Sequence, residues 1–410
     1  MPTKGENLQL DNNLTGPVNE ISIIKLVHSL INNAYLSRAS DIHIDPSEDK
    51  IVIRLRIDGV LYESFTLPKE IQPEIITRLK VLSGLRTDEH QMAQDGRFKF
   101  ATENKEGFDI RLSIIPTYHG EDAVMRLLVE EKGHMHTLDN ITFSQRDLTV
   151  IKHELIKPYG MVLITGPTGS GKTTTLYTML KVLNTEDVSI ITIEDPIEYS
   201  LEKTIQIQVN NQTGLTFANG LRSILRQDPN IIMVGEIRDE ETAKISVNAA
   251  LTGHLLLSTL HTNDASTALP RLTDMGVEPF LIISTVNVVI AQRLVRKICQ
   301  SCKKEKEYSA ESLQALKDYF PTGAFDNAHS FYAGVGCKEC SNSGYLDRVS
   351  IHEVLEMTDT IREAVISRKG ALVIKEIAMR EGMTTMLQDG FNKVLDGLTT
   401  IEEILRVIHE

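Results

Sequence analysis

Residues 166–173 read Gly166-Pro167-Thr168-Gly169-Ser170-Gly171-Lys172-Thr173, followed by Thr174, and match G-x-x-x-x-G-K-[ST] at every fixed position. The chemistry of such a run is anion binding. Glycines let successive backbone N–H groups curl around a phosphate, and a helix starting there adds partial positive charge. On this reading Lys172 reaches the β and γ phosphates of a nucleotide and Thr173 holds Mg²⁺. The flanks suit it. Residues 161–164 are an apolar run that reads as a buried strand, and Leu176, Met179, Leu180 and Leu183 recur at helical spacing after the loop.

Carboxylates stand where such a site needs them. The apolar run 231–234 ends at Gly235-Glu236, and an acidic residue at the end of a strand beside a phosphate loop is placed to hold the Mg²⁺ shell through water. The run 190–193 ends Glu194-Asp195-Pro196-Ile197-Glu198. Hydrolysis of a γ-phosphate needs a carboxylate to orient or deprotonate water, for which Glu194 and Glu198 are the candidates and Glu198 the preferred one. His254 and His261 frame the run 255–257, which suggests sensing of the γ-phosphate or of a neighbouring subunit.

All four cysteines fall into two C-x-x-C pairs, Cys299/Cys302 and Cys337/Cys340, separated by residues 303–336. Two such pairs make a tetrahedral thiolate zinc site with no open coordination position, hence a structural one. Nothing marks the chain as secreted, which disfavours disulfides. Arg111 lies on a strand whose other face is Phe108, Ile110, Leu112 and Ile114, and Arg126 lies on the next strand. From spacing alone both arginines read as surface salt-bridge partners.

The elements that must position these groups follow from periodicity. The first twenty residues read as a flexible lead-in. Residues 21–36 have helical spacing, with Ile24, Val27, Leu30, Ile31 and Ala34 on one face. Alternation over 51–57 runs into the hairpin pair Asp58-Gly59, a helix follows over 68–82, and strands are expected at 108–114 and 123–129. This makes a small α+β domain. From about residue 137 apolar runs at 161–164, 190–193, 231–234 and 255–257 alternate with helical segments, the pattern of a parallel, doubly wound α/β sheet. Beyond Arg296 strand runs are expected to stop. The expected segments are 1–20, 21–133, 134–298, 299–345 with the cysteines, and a helical 346–410.

The chain of 410 residues has a net charge of −13, which argues against nucleic acid as its main partner. A RecA-like nucleic-acid motor shares the fold and the loop, but it predicts strand-binding loops rich in Lys, Arg and aromatics, and the segment after Glu198 has only Lys203. Residues 1–15 lack the apolar core of a signal peptide, and the stretch 280–295 is broken by Ser284, Asn287, Gln292 and Arg293, too polar to span a bilayer. A cytoplasmic protein is expected, linked to membranes only through partners.

Taken together these motifs resemble the secretion ATPases that drive type II secretion and type IV pilus assembly. Residues 163–176 resemble that family's Walker A box, 192–198 its aspartate box, 228–239 its atypical Walker B with Glu236, and 252–262 its histidine box with His261. Ala291-Gln292-Arg293-Leu294, Ser40-Asp41-Ile42-His43 and Gln94-Asp95-Gly96-Arg97 are further family phrases. The resemblance implies a RecA-like P-loop ATPase domain after a small α+β (PAS-like) domain that supplies Arg111 and Arg126 as arginine fingers. It also implies ATP, Mg²⁺ and Zn²⁺ as cofactors, a homo-hexamer, and an integral inner-membrane platform protein as partner. The four cysteines point to an assembly or secretion motor, since retraction motors of the family generally lack them. The pilus branch is preferred. Two departures stand out: family members usually carry a further N-terminal domain that docks on a recruiting partner, and Gly-Tyr-x-Gly-Arg becomes Gly344-Tyr345-Leu346-Asp347-Arg348, expected to alter a turn.

Overall fold

The computed structural model describes residues 22–102, 107–129, 137–308 and 330–409, so the expected lead-in lies outside the described residues. Contacts divide the chain into two compact units, 1–134 and 135–410.

In the first unit α1 (Ile23–Leu36) is followed by β1 (Ala39–Pro46), β2 (Lys50–Ile57), β3 (Val60–Pro68), α2 (Gln72–Leu82), β4 (Gln94–Ala101), β5 (Gly107–Thr117) and β6 (Gly120–Leu128). The strands form one antiparallel sheet in the order β3-β2-β1-β6-β5-β4. Alternation decides its faces. Ile51, Ile53 and Leu55, with Phe108, Ile110, Leu112 and Ile114, turn inward onto a core shared with α1 and α2. The β2–β3 turn needs positive φ at both central residues, and Asp58 and Gly59 take 49° and 85°. The buried face of α1 is Leu26, Val27, Leu30, Ile31 and Ala34, whereas Ile24 is 61% exposed. Ile24 and Leu26 lie on opposite edges of the apolar stripe, and only the Leu26 edge is covered.

The second unit begins with α3 (Gln145–Leu155), β7 (Gly160–Thr165), α4 (Lys172–Leu183), β8 (Ile190–Glu194), β9 (Thr204–Gln208), α5 (Phe217–Ile224), β10 (Ile231–Val234) and α6 (Glu240–Leu251). There follow β11 (Leu255–Leu260), α7 (Ala265–Asp274), α8 (Pro279–Thr285) and β12 (Val286–Ile298). The seven-stranded sheet runs β15-β12-β7-β11-β10-β8-β9, where β15 is Tyr345–Glu356. Every pairing is parallel except β12 with β15. β7, β8, β10 and β11 are buried at every position, as strands covered on both faces must be. Two cores result. Met161, Leu163, Ile232 and Val234 pack toward α5, α6 and α7, while Val162, Ile164, Met233 and Leu257 pack toward α3 and α4.

The strand pattern therefore continues past Arg296. β12 and β15 complete the main sheet, and β13 (Lys303–Lys306) pairs with β14 (Phe331–Gly334) beside the cysteines. Buried polar residues hid these strands from periodicity: Gln292 and Arg293 interrupt β12, and His352 and Glu353 interrupt β15. Asp347 has φ 66°, the region that favours glycine, at an irregularity in the β12–β15 pairing. That is why glycine suits this position in the pattern the chain departs from.

Four helices close the chain, α9 (Asp359–Ile366), α10 (Ala371–Arg380), α11 (Met386–Leu395) and α12 (Ile401–His409). Glu403 pins α12 to β12. It receives Arg406 Nη2 at 2.9 Å, the Arg296 backbone amide at 3.2 Å and the Arg296 guanidinium. Burial alone would raise its pKa, but the bonds from Arg406 and Arg296 outweigh burial and hold it at about 2. A depressed carboxylate stabilises fully above its unfolded value of 4.5 and loses that contribution as pH falls through about 2. Glu403→Gln is expected to destabilise the fold at pH 7 by about 2 kcal/mol and to flatten this acid limb, as read by melting temperature between pH 2 and 7.

Candidate nucleotide site and metal centre

The loop joins β7 to α4. Gly171, the N-cap of α4, has φ 86°, and Gly166 has φ 146°. Both are packed closely, since a Cβ on Gly166 would lie 2.3 Å from the Gln292 carbonyl oxygen and one on Gly171 would lie 2.8 Å from Gln292 Nε2. Gly166 and Ser170 are buried, while Pro167, Thr168, Gly169 and Thr174 form an exposed rim and Thr173 is half-buried. Lys172 folds back over the loop, its Nζ donating to the carbonyls of Gly166 at 2.8 Å and Pro167 at 3.0 Å. Burial lowers its pKa, and the charge of Glu236 works against that shift.

Glu236 stands at the end of β10, separated from β7 by β11 alone. Its Oε2 meets Arg238 Nε at 2.6 Å and His261 Nε2 at 3.0 Å. The strand ends are tied together. Thr165 Oγ1 receives the Thr262 amide at 2.9 Å, and Thr259 Oγ1 donates to the Gly235 carbonyl at 2.8 Å. The expected pair of histidines separates. His261 follows β11 and reaches the site, whereas His254 precedes β11 and lies at the opposite edge of the sheet. There its Nδ1 meets the Ala249 carbonyl at 2.9 Å, at the end of α6. Parallel strands present only their C-terminal ends to one edge, so two residues flanking one strand cannot share it.

Glu194 and Glu198 differ in kind. Glu194 is 3% exposed, and its oxygens accept from Thr192 Oγ1 at 2.6 Å, Gln206 Nε2 at 3.1 Å and the Tyr177 hydroxyl. Burial and the Glu194 charge push the Tyr177 pKa up. Glu198 is half-buried, beyond the strand end. Sequence reasoning missed the Tyr177–Glu194–Gln206 network and gave Gln292 no role. The signal for Gln292 was a polar side chain inside an apolar run, which a buried strand tolerates only with partners.

In the first unit Arg97, Arg111 and Arg126 are cross-strand partners on β4, β5 and β6, and Arg126 is paired with Asp41, which is paired with Arg56. All are therefore on one face, opposite the core. Asp41 is 3% exposed and accepts from Arg126 Nε at 2.8 Å, with Arg56 Nε at 3.5 Å. Arg97 pairs with Asp109 at 3.1 Å. Arg111 is exposed and makes no ion pair among the described residues. Like charges in register repel, and Asp41 and Asp109 offset that repulsion at Arg126, Arg56 and Arg97.

The four sulfurs of Cys299, Cys302, Cys337 and Cys340 lie within 4.8 Å of one another. Neighbouring pairs stand at 3.7 Å (Cys299–Cys337), 3.8 Å (Cys302–Cys340) and 3.7 Å (Cys337–Cys340). A tetrahedron of sulfurs about 2.3 Å from zinc has edges of about 3.8 Å, so the donor set fits zinc. Backbone amides of Cys337 and Gly344 approach Cys340 Sγ at 3.2 and 3.3 Å. Burial acts to raise the Cys340 pKa, yet these bonds bring it down to about 7, while burial pushes Cys302 up to about 12. Most of residues 303–336, between the pairs, lie outside those described.

A phosphate loop after an inner strand of a doubly wound sheet, β7, with an acidic end on β10 across the single strand β11, defines a RecA-like P-loop ATPase. The sequence pattern of the family described as "Type II/IV secretion system protein" matches residues 18–406. The chain belongs to that family. It is 47% identical over 388 residues to the type IV pilus assembly ATPase PilB of Thermus thermophilus, covering 95% of this chain and 43% of that one. It is 46% identical over 393 residues to the type II secretion system protein E of Xanthomonas campestris, covering 95% of this chain and 68% of that one. The chain thus spans under half the length of the first relative and about two thirds of the second. The crystal structure of the pilus retraction motor PilT with bound ADP superposes with a TM-score of 0.60 at 26% identity, covering 93% of this chain and 96% of that one. Among the described residues no helix is long and apolar enough to cross a membrane.

Two measurements check the site. Metal analysis of the purified chain is expected to find about one zinc per chain, lost together with several kcal/mol of stability in Cys302→Ser. Lys172→Ala is expected to weaken ATP binding at least about tenfold by equilibrium titration, since a charged partner of the phosphates is removed.

Proposed function

We propose that this chain is the motor subunit of a type IV pilus assembly machine, hydrolysing ATP to drive pilin addition through an inner-membrane platform protein. The observation that carries the reading is Glu236, bonded to His261 at the strand ends and acting by charge on Lys172 in the loop, where a bound nucleotide would place its γ-phosphate. The similarity to PilB favours the pilus branch. The nearly equal similarity to a type II secretion protein E keeps that system as the second reading.

In this reading the amides of residues 166–173 and Lys172 hold the phosphates. Thr173, and Glu236 through water, would hold Mg²⁺, which supplies charge neutralisation at the β and γ oxygens when bound. Glu198 orients or deprotonates the attacking water. Glu194, with its acceptors engaged by Thr192, Tyr177 and Gln206, fixes the strand end instead. His261 orients Glu236 and reports on the γ-phosphate. Arg111 and Arg126 deliver positive charge to the γ-phosphate in an assembled homo-hexamer, Arg126 being aimed by Asp41. Hydrolysis removes the γ-phosphate that those charges would face, which is the differential interaction a motor stroke needs. The motor works in the cytoplasm at the inner face of the membrane, attached through its partners.

Turnover with Mg²⁺ and ATP tests the assignment of roles. Glu198→Gln should lower kcat by about 10²-fold or more while ATP is still retained. Glu194→Gln should chiefly lower the melting temperature, by the about 1–3 kcal/mol of a disrupted buried network. Arg111→Ala should lower kcat by about 10³-fold, and unchanged turnover would remove the arginines from the mechanism. Deleting the gene should abolish surface pili and spare protein export, and the reverse phenotype would assign the chain to type II secretion.

A further inference from the structure

Gln292 is 2% exposed on β12, between the apolar residues 288–291 and Arg293, and is absent from the chemistry described so far. Its carboxamide is used at both ends. Nε2 donates to the Ser170 carbonyl at 2.8 Å, and Oε1 accepts from Thr175 Oγ1 at 2.8 Å. Ser170 is the residue of the loop before Gly171, and Thr175 is in the first turn of α4. The one amide therefore bridges the two sides of Gly171-Lys172.

The backbone of Gln292 makes a second approach. β12 pairs in parallel with β7 as far as Ala291 opposite Thr165, so Gln292 lies beside Gly166, where the chain leaves the sheet. Its carbonyl closes on the α-carbon of Gly166 and its Nε2 on that of Gly171, leaving no room for a Cβ at either. One residue outside the loop, 121 or more positions along the chain, thus crowds two fixed glycines whose positive φ already favours glycine. β12 itself is anchored just beyond. Arg293 donates to the Val407 carbonyl and Arg296 pairs with Glu403, both on α12.

We propose that Gln292 is a positioning residue for nucleotide binding: it sets the curvature of the phosphate loop by holding the Ser170 carbonyl and the Thr175 hydroxyl in one plane. The inference rests on the reading of that loop as an ATP site. A carbonyl bonded to Gln292 is turned to the β12 side, which leaves the amides of the loop to face the anion. Without the bridge the Ser170 peptide can rotate and the loop must be ordered at the expense of binding. A buried glutamine present only to satisfy its own polarity would affect stability and leave affinity alone.

The test uses the whole chain and a fluorescent ATP analogue and its ADP counterpart with Mg²⁺, comparing wild type, Gln292→Met, Thr175→Val and the double variant, with melting temperatures recorded without nucleotide. Gln292→Met is expected to raise Kd for both nucleotides about tenfold and to raise KM more than it lowers kcat, as loss of two hydrogen bonds and of uniform binding predicts. Thr175→Val is expected to raise Kd about threefold, and the double variant to be no weaker than Gln292→Met, because one carboxamide makes both contacts. A folded Gln292→Met with wild-type Kd, or additive effects in the double variant, overturns the proposal. Should Gln292→Met not fold, Thr175→Val decides alone, and an unchanged Kd there overturns it equally. Failure of the wild type to bind either analogue would refute the ATP-site reading itself, a result distinct from wild-type binding left unmoved by the variants.

Discussion

The in-register parallel pairing of β7, β11, β10 and β8 is the constraint on which the rest depends. It brings Thr165 opposite Leu260, and Val234 between Ile193 and Ser258. Residues at or just beyond the strand ends, Gly166, His261, Glu236 and Asp195, therefore emerge at one edge although they are scattered over some 95 positions of the chain. Hydrogen bonds between the strand ends, Thr165 to Thr262 and Thr259 to Gly235, prevent that edge from fraying. Slipping any one strand by a residue would turn its core-facing side chains to the other face of the sheet, which ties the site geometry to the burial of both cores.

Charge is placed with the same economy in both units. In the second unit Lys172 is drawn into a buried position by loop carbonyls and balanced by Glu236, itself shared with Arg238 and His261. In the first unit Asp41 holds Arg126 and Arg56, while among the described residues Arg111 has no carboxylate partner. Buried carboxylates elsewhere act as fasteners: Glu403 pins α12, and Glu353 accepts the amides of Ala265 and Met386 at the starts of α7 and α11. Neither type of role is evident from the residue alone. The distinction is where the partners lie: on helices packed against the sheet for Glu403 and Glu353, at the C-terminal strand edge beside the loop for Glu236.

Much of this organisation was legible beforehand. The loop, its strand and helix, the four cysteines and the strand runs at 161–164, 190–193, 231–234 and 255–257 all depend on local spacing, and local spacing survives in the fold. The inward face of β5 opposite Arg111 was legible for the same reason. β12 and β15 were not, because Gln292, Arg293, His352 and Glu353 break their periodicity while being buried by partners distant in sequence. The outward turn of Ile24 was hidden for a related reason: both edges of a helical stripe look alike until a neighbour covers one.

Which atoms can hold a phosphate or a metal is fixed by residue type and short spacing: glycines and a lysine in a tight loop, thiols three positions apart in two pairs. Those are properties of the chain within a few residues, and no packing is needed to recognise them. Which of several identical side chains takes part is another matter. His261 rather than His254 reaches Glu236, and Glu194 is spent on Tyr177 and Gln206. Gln292 closes the loop from a strand more than a hundred positions away. Those outcomes depend on which edge of the sheet a residue leaves from and what is packed behind it, quantities that exist only once the strands are aligned.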